Sequence, residues 1–502
     1  MIPGRHLFTA LCGLWLTLGA PSLTRGQVAP PPRRVTTSSS SLAGPSLMRG
    51  QVAPLRLEEV LAGVTNQYPP LLAALIERDV ASGRLQSSRA PFDFNVFAKI
   101  FSNPTGFYDS STVDAGFEQF TGWWGSTIFG GYRLTRGGTL PDYDKDRTQS
   151  AGEPRIGFRL PLLRDGAIDR RRAAVLKARL DQELADPFIQ RQHLDFIRAA
   201  SVGYYAWLAA GQRLRLAEDL QRIANDRGAA LTNQVNSGLI ARIALKDNER
   251  LIVSRGLAVV QARRRFEAAA IALSLFHRDT GDSPLVAGRE RLPAEFPAAP
   301  PPNLAELAND IELAISARPE PRRLKLAMDK LAVDLRLAKN QLLPQLDAGV
   351  TISQDFGRKL YKDKSDVDTQ LGLEFRLPLQ RSEAKGRVNE LNGQLEQLTK
   401  EERFARDRIA AEVRDAASAL GAAHEQIQQA RLNASLAAEL QAAEAERLRR
   451  GATDLLALQL REQAAFDARV LEVDALAEYF RALADFRAAI ARDGRRPANP
   501  RP

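Results

Sequence analysis

The sequence predicts an α+β membrane protein in which two copies of one unit supply long antiparallel helical hairpins and a small number of β-strands. Three observations lead to this fold class. Residues 382–450 are typical of a single helix, because they contain no proline and their apolar residues recur at helical spacing. Strand-like segments precede the long helical stretches. The pentapeptide FRLPL occurs identically at 158–162 and 375–379.

Composition limits the class of protein further. The chain has 502 residues, of which 44% are hydrophobic and 26% are charged, as is typical of a folded protein. Its net charge of +10 arises from 70 basic and 60 acidic residues that are interspersed, so we expect no nucleic-acid partner. The basic runs at 170–172 and 263–265 have no interleaved aromatic residues, and we interpret them as solvated helix faces.

The first 20 residues are typical of a secretory signal peptide. Arg5 and His6 precede an apolar run that is too short to span a membrane as a helix. Cys12, the one cysteine of the sequence, lies in this run, so the mature chain would need no disulfide in an oxidising compartment. Residues 21–54 are rich in Pro and Ser, and we predict that they form a disordered linker.

The first repeat is predicted over residues 55–276. It opens with a helix over 55–90, which we expect to be interrupted at a Pro-Pro pair. A β region follows over 91–163, because apolar and polar residues alternate from Phe92 to Ile100. The Gly, Thr and aromatic residues beyond favour a membrane β-structure with an aromatic girdle, although a soluble sandwich has a similar composition.

A long helical hairpin is predicted to complete the first repeat over 164–276. Pro187 should kink or interrupt its first helix, and a turn is expected around Gly238. The stretch 277–303 is rich in Pro and Gly, and we interpret it as a linker between the two repeats.

The second repeat is predicted over 304–490 in the same order. It contains a helix over 304–341, a β hairpin over 342–381 and a long helical hairpin over 382–490 that turns at Gly451. The β region of the first repeat has 73 residues against about 40 in the second, so we expect extra strands or a long surface loop there, with a layout over 102–154 that the sequence leaves open. Residues 491–502 form a basic tail. Prolines and arginines stand at matching offsets where each β region meets its long helix, and we assign these residues a structural role: Pro161 and Arg164 in the first repeat, Pro378 and Arg381 in the second.

The lengths of these elements imply an assembly. At 1.5 Å per residue, the helix over 382–450 would be about 100 Å long, far more than a compact domain needs. It must therefore pair with the helices before and after it. Four strands would form an open sheet whose edges cannot face lipid, so sheets from several copies must close together. Sheet and helices together predict a hollow tube, with a membrane barrel continued by a helical barrel.

Five segments carry a resemblance to a known family. They are LRLEEVL at 55–61, GFRLPLLRDGAIDRRRAAV at 157–175, LLPQLDAGVTIS at 342–353, LEFRLPLQRSEAKGRV at 373–388 and LRRGATDLLALQLREQAAF at 448–466. In their order and duplication the chain resembles the TolC-like outer-membrane efflux proteins (outer membrane factors) over residues 55–490.

The resemblance implies an assembly and a role. It implies a homotrimer in which four β-strands per protomer build a 12-stranded barrel in outer-membrane lipid, with an α-barrel in the periplasm. It also implies a passive exit duct of a tripartite efflux or type I secretion system. The partners would be a periplasmic adaptor (membrane fusion) protein and an inner-membrane pump.

In this family the aperture lies at the periplasmic tips of the helical hairpins. The resemblance places the pore-aperture or adaptor-contact candidates at Asn236, Gly238 and Arg242 in the first hairpin, and at Arg450, Gly451, Thr453 and Asp454 in the second. The alternative is that the glycines only supply turn geometry and the polar residues are only solvated. Members often carry an acidic residue at the position of Ala457, so this chain departs from that pattern.

Two other functions are compatible with parts of the sequence. A periplasmic coiled-coil scaffold or adhesin without a pore would use the helices but would not need strands with two unlike faces. An enzyme would need a reactive cluster, and the sequence has no Gly-x-Ser-x-Gly motif and no phosphate-binding loop. His193, His277 and His424 are far apart in sequence. We therefore expect no catalytic residue, cofactor or metal site.

Overall fold

The computed structural model describes residues 53–105, 109–137, 147–358 and 366–493. The predicted signal peptide, nearly all of the linker over 21–54 and most of the basic tail lie outside the described residues. The helices are α1 (Leu57–Gln67), α2 (Pro69–Ser88), α3 (Arg170–Asn236), α4 (Arg242–Ser274), α5 (Leu307–Ala317), α6 (Pro319–Asn340), α7 (Ser382–Arg449) and α8 (Leu455–Ala489). The strands are β1 (Asn95–Asn103), β2 (Ser110–Phe120), β3 (Thr127–Arg136), β4 (Glu153–Pro161), β5 (Gln345–Gln354) and β6 (Val367–Arg376).

The two long helices have nearly equal lengths, as expected for a duplicated unit. Helix α3 has 67 residues and α7 has 68, so each is about 100 Å long. Their antiparallel partners α4 and α8 have 33 and 35 residues. Helix α3 packs along α2 and then α4, and α7 packs along α6 and then α8. Helix α3 also contacts α6 and α8, which joins the two repeats side by side.

An aromatic cluster in the middle of α3 forms the centre of the helical core. The rings of Tyr205 and Phe480 are stacked with centroids 4.3 Å apart, and Trp207 is fully buried against Phe266 of α4. Tyr204 donates a hydrogen bond of 2.9 Å to the carbonyl of Leu55. These contacts hold the segment that leads into α1, together with α4 and α8, against the middle of α3.

The stretch between the repeats is folded against this core. Leu292 is buried in it, and the backbone N of Leu55 donates a 2.8 Å hydrogen bond to the carbonyl of Arg291. Tyr479 of α8 donates a 2.6 Å hydrogen bond to the carbonyl of Pro300. The segment over 277–303, which we predicted to be a linker, therefore packs along the helices of both repeats.

Prolines act differently in three helices. The Pro-Pro pair begins α2 and separates it from α1, as expected. Helix α3 continues through Pro187 without interruption, where we expected a kink or break. The single helix predicted over 304–341 is wrong, because Arg318 is extended (φ −70°, ψ 144°) before Pro319 and separates α5 from α6.

The sheet differs from the prediction in its number of strands. We expected four strands per protomer. The described residues form a sheet of six strands in the order β1-β2-β3-β4-β5-β6, and all neighbouring strands in it are antiparallel. Four of the six lie in the predicted β region over 91–163. The turn between β2 and β3 is made possible by left-handed backbone at Trp124 and Gly125 (φ 49° and 67°). The additional strands therefore form ordered sheet in a stretch whose layout the sequence left open.

Candidate functional site

The tip of the first helical hairpin is a left-handed glycine turn. Helix α3 ends at Asn236, and Gly238 has φ +70°. The backbone N of Gly238 donates to the carbonyl of Val235 (3.0 Å), and that of Leu239 donates to the carbonyl of Gln234 (2.9 Å). This pair of bonds is a Schellman motif, in which a left-handed residue satisfies the last carbonyls of a helix.

The tip of the second hairpin repeats the same motif. Gly451 also has φ +70°, and its backbone N donates to the carbonyl of Leu448 (3.0 Å). The N of Ala452 donates to the carbonyl of Arg447 (2.9 Å). Both predicted glycines thus stand at the residue where the chain reverses, and a Cβ at either position would be strained by the backbone angle.

The polar residues of the second tip make contacts within their own hairpin. Asp454 caps α8 by accepting a 2.8 Å hydrogen bond from the N of Ala457. Thr453 donates its hydroxyl hydrogen to Glu444, and Arg450 pairs with Glu446 at 2.8 Å. The first tip lacks the corresponding cap, because Ala241 stands in the place of Asp454. Asn236 and Arg242 are exposed there.

A buried ion cluster that the sequence did not reveal lies behind the two tips. Glu462 of α8 accepts hydrogen bonds from Arg227 of α3 and from Arg255 of α4, the latter at 2.9 Å. Arg255 is 4% exposed and Glu462 is 3% exposed. Arg255 also donates a 2.9 Å bond to the carbonyl of Leu220. The cluster joins both hairpins about two helical turns along α8 from its first residue, Leu455.

A second ion cluster lies where α5 meets α6. Arg318 donates to Glu320 at 2.7 Å and to Glu412 of α7 at 2.5 Å, and Arg191 of α3 also pairs with Glu320. Burial acts to raise the pKa of Glu320, but the hydrogen bond and charge of Arg318, with the charge of Arg191, outweigh it and lower the pKa. Glu320 therefore stays ionised, and with Arg191 and Arg318 it links α6 to α3 and α7.

The first strand-to-helix junction is tied to the second repeat. Pro161 ends β4, and the backbone N of Arg164 donates to the carbonyl of Pro344 at 3.2 Å. The backbone N of Asp165 donates a 2.7 Å bond to the side chain of Asn340 at the end of α6. Burial raises the pKa of the Asp165 carboxyl, although the charge of Arg164 opposes this.

The second junction contacts the same segment. Strand β6 ends at Arg376, so Pro378 lies in the connection that leads to α7. Arg381 has left-handed backbone (φ +50°) directly before α7, and its guanidinium donates a 3.1 Å hydrogen bond to the carbonyl of Leu342. The backbone of Arg164 and the side chain of Arg381 thus both bind the short segment over 342–344 that leads into β5.

One face of the six-stranded sheet is apolar from edge to edge. Residues that are paired across neighbouring strands lie on the same face. The apolar side chains are Val96, Ala98 and Ile100 on β1, Val113, Ala115 and Phe117 on β2, Ile128, Tyr132 and Leu134 on β3, Ile156, Phe158 and Leu160 on β4, Leu346, Val350 and Ile352 on β5, and Leu371, Leu373 and Phe375 on β6. The larger ones at both edges are exposed in the isolated chain.

The other face is polar and charged. Its polar side chains include Asn95 and Lys99 on β1, Asp114 and Glu118 on β2, Arg133 and Thr135 on β3, Arg155 and Arg159 on β4, Asp347 and Ser353 on β5, and Asp368 and Glu374 on β6. Phenylalanines also lie on this face, and two of them are covered by cations: Lys99 lies 5.2 Å from the ring centroid of Phe97, and Arg159 lies 5.9 Å from that of Phe129. A sheet with one apolar and one charged face can separate lipid from water.

No protein-family model and no curated protein sequence matches the chain. Solved structures do match it over most of its length. The Neisseria gonorrhoeae MtrE outer membrane channel, in its open state, is 15% identical, with a TM-score of 0.62 over 87% of this chain and 89% of MtrE. The Campylobacter jejuni CmeC outer membrane channel is 14% identical, with a TM-score of 0.61 over 92% and 94% of the two chains. CusC is 14% identical, with a TM-score of 0.62 over 90% and 95%.

This is the TolC-like channel fold. The resemblance predicted from the sequence is confirmed at the level of the fold, because each of these channels is matched over 89% or more of its own length. Among the described residues, none of the helices is long and apolar enough to cross a membrane.

Proposed function

We propose that this protein is an outer-membrane exit duct, built from three copies of the chain as a passive conduit. The two unlike faces of the sheet carry this proposal. A continuous apolar face over six strands would be costly in water, and a face with Lys99, Asp114 and Arg155 would be costly in lipid. Both faces have suitable surroundings if the sheet forms part of a barrel wall in the outer membrane, with the apolar face toward lipid and the charged face lining a water-filled lumen.

The helices extend the conduit on the periplasmic side. Helices of about 100 Å, such as α3 and α7, are long enough to reach far below a membrane. Each carries exposed apolar residues, such as Val253 and Leu257 on α4 and Leu432 and Leu436 on α7, which can pack against helices of neighbouring copies. We propose that the tips close the duct and contact a periplasmic adaptor protein, and that an inner-membrane pump completes a tripartite efflux or type I secretion system.

Conductance measurements test the proposal. The full-length protein is purified from outer-membrane fractions and reconstituted into planar bilayers. We expect trimers that conduct ions, with a current that rises in proportion to salt concentration. Protein that inserts into the bilayer and carries no current would support a scaffold or adhesin without a pore. Protein found only as a soluble monomer in the periplasm would overturn the duct and would favour a periplasmic scaffold without a pore.

The gating role of the tips has its own test. Replacing Gly451 with Val strains the left-handed turn, which a β-branched residue tolerates poorly. We expect the variant to insert normally and to show altered open probability or weaker adaptor binding. Normal insertion together with unchanged export and adaptor binding would show that the glycine only shapes the turn.

A further inference from the structure

The first two strands are bound into the sheet as firmly as the others. Strand β1 pairs with β2 over all nine of its residues, and β2 pairs with β3 from Ser111 to Phe120. Thr112 and Thr135 share a hydroxyl hydrogen bond of 3.1 Å across β2 and β3. Nη2 of Arg155 on β4 lies 2.6 Å from Oδ2 of Asp114 on β2, so an ion pair crosses the whole width of β3.

Packing on the apolar face also joins β2 to β3. Phe117 of β2 lies over Gly130 of β3, where a Cβ would be only 2.8 Å from the ring. An aromatic ring that covers a glycine on the adjacent strand adds contact area that the glycine itself cannot supply. The amide of Gln119 donates a 2.6 Å hydrogen bond to the carbonyl of Phe92, which fixes the end of β2 to the segment that leads into β1. The β1–β2 hairpin is therefore part of the wall.

We propose that β1 of one copy pairs with β6 of the next, so that three copies with six strands each enclose an eighteen-stranded barrel. The inference rests on the proposed trimeric duct, and it replaces the twelve strands that four per copy would give. Strands β1 and β6 are the two edges of the described sheet. Their unpaired backbone groups cannot face lipid, so a second copy must cover them.

The chemistry of the two edges fits this pairing. Val96 and Ile100 on β1, and Leu371 and Leu373 on β6, are largely exposed and lie on the same apolar face of the sheet. Because successive strands alternate in direction, β6 runs antiparallel to β1 of the neighbouring copy. The apolar and charged faces then continue across the junction between copies without a break.

An eighteen-stranded wall would give a wide conduit. The diameter of a β-barrel grows roughly linearly with the number of strands, so eighteen strands give about one and a half times the diameter of twelve. Barrels of this size leave an open aqueous channel. The additional hairpin would therefore determine the width of the outer-membrane part of the duct.

Disulfide cross-linking tests the pairing of β1 with β6. The natural cysteine is first removed as Cys12→Ser. Ala98→Cys is then combined with Thr369→Cys, Leu371→Cys or Leu373→Cys, which lie on the apolar face and cover three registers. Facing residues in antiparallel strands have Cα atoms about 4.5–5.5 Å apart, which a disulfide can join. We expect one combination to form covalent trimers, and co-expressed single variants to form covalent dimers.

Controls separate the competing arrangements. Gln370→Cys and Gly372→Cys lie on the charged face, so neither should cross-link with Ala98→Cys. In a twelve-stranded barrel β3 would instead be the neighbour of β6, so Tyr132→Cys would cross-link with a β6 cysteine and Ala98→Cys would not. That result, or the absence of every Ala98 cross-link in membrane-inserted trimers, would overturn the proposal. Trimers that conduct ions but do not form this cross-link would contradict the strand pairing and not the proposed duct function.

Removing the hairpin gives a second measurement. Deletion of residues 94–120 leaves the turn at 121–126 to join Asp93 to β3, so each copy keeps four strands. If the deleted trimer and the complete trimer both form barrels, deletion should reduce the cross-sectional area of the barrel to about half, since the diameter scales with the number of strands. We expect the barrel of the purified trimers to narrow accordingly in electron microscopy, to about two-thirds of its diameter. Equal barrel diameters in the deleted and complete trimers would contradict the eighteen-stranded wall, whereas no conductance in either would contradict the duct.

Discussion

Arg255 of α4 and Glu462 of α8 face each other in the interior of the helical part, with Nη2 of the arginine 2.9 Å from Oε2 of the carboxylate. Arg227 of α3 binds the other carboxylate oxygen. One acidic side chain thus connects helices of both repeats behind the hairpin tips. In a buried environment a charged side chain is stable only when groups of opposite charge bind it, because little water is available to solvate it instead.

Replacing Glu462 with Gln should lower the free energy of unfolding by about 3–5 kcal/mol, because the buried Arg255 and the partly buried Arg227 lose their counter-charge. Denaturant unfolding of the detergent-solubilised protein, followed by circular dichroism, measures this. Glu472→Gln on the same helix is the matched control. Its partner Arg431 is 3.5 Å away and both side chains are partly exposed, so we expect a change below about 1 kcal/mol. Equal effects of the two substitutions would contradict the importance of the buried cluster.

The same substitution at two glycines should have opposite effects. Gly451→Ala should destabilise the protein by about 1–2 kcal/mol, because its φ of +70° places an alanine in the left-handed region. Gly393→Ala, in the interior of α7 a few turns after its start, should stabilise it by about 0.5–1 kcal/mol, since that position is helical and a methyl group meets open space. Thermal unfolding of both variants is the measurement, and a lower midpoint for Gly393→Ala would refute the prediction.

Acidification should weaken the helical part through His193. The ring lies buried in α3, and burial lowers its pKa, although the charge of Asp493 opposes this shift. In the unfolded chain the ring takes up a proton as the pH falls below about 6.5, before the folded protein does. The free energy of unfolding is therefore largest above this pH and falls as the pH is lowered through it.

His193→Gln should remove this part of the pH dependence. The quantity to measure is the difference in unfolding free energy between the natural protein and the variant, from pH 5 to pH 8. We expect the natural protein to lose stability relative to the variant below about pH 6.5. A difference that stays constant over this range would show that the ring does not titrate as its burial implies.

The two faces of β6 can be distinguished by adjacent arginine substitutions. Leu371 lies on the apolar face and is 78% exposed in the isolated chain, so Leu371→Arg would place a charge against lipid. Near the middle of the bilayer this costs about 2–4 kcal/mol. We expect less inserted protein in urea-washed outer membranes. Gln370→Arg lies on the charged face and should insert normally. Loss of insertion in Gln370→Arg alone would reverse the assignment of the faces.

The helical part was accessible from the sequence because local signals determine it. Absence of proline and regular apolar spacing predict α7 to within one residue of its observed end at Arg449. Gly238 and Gly451 are at the turns because helix ends favour glycine in left-handed backbone. Their proposed role at an aperture stays a prediction. The division between α5 and α6 had a local signal as well, in Pro319, which the prediction of one helix overlooked.

Other features depend on contacts between distant parts of the chain. Arg227, Arg255 and Glu462 each resemble a solvated charge in the sequence, and only the packing of three helices brings them together. One signal was present, since Glu462 falls in line with the buried Leu458 and Ala465 on one face of α8. Strands β2 and β3 had a signal in the length of the first β region, which predicted extra strands or a long surface loop, and the pairing of the strands decides between the two.

The β1–β2 hairpin begins and ends at the same end of the sheet, since Asn95 pairs with Glu118 and Phe120 pairs with Thr127. Its presence leaves the direction of every later strand unchanged. The chain therefore enters α3 from the same end of the sheet at which it left α2, with or without the hairpin. In the proposed duct, gain or loss of one such hairpin per copy would change the bore and leave the helices below the membrane in place.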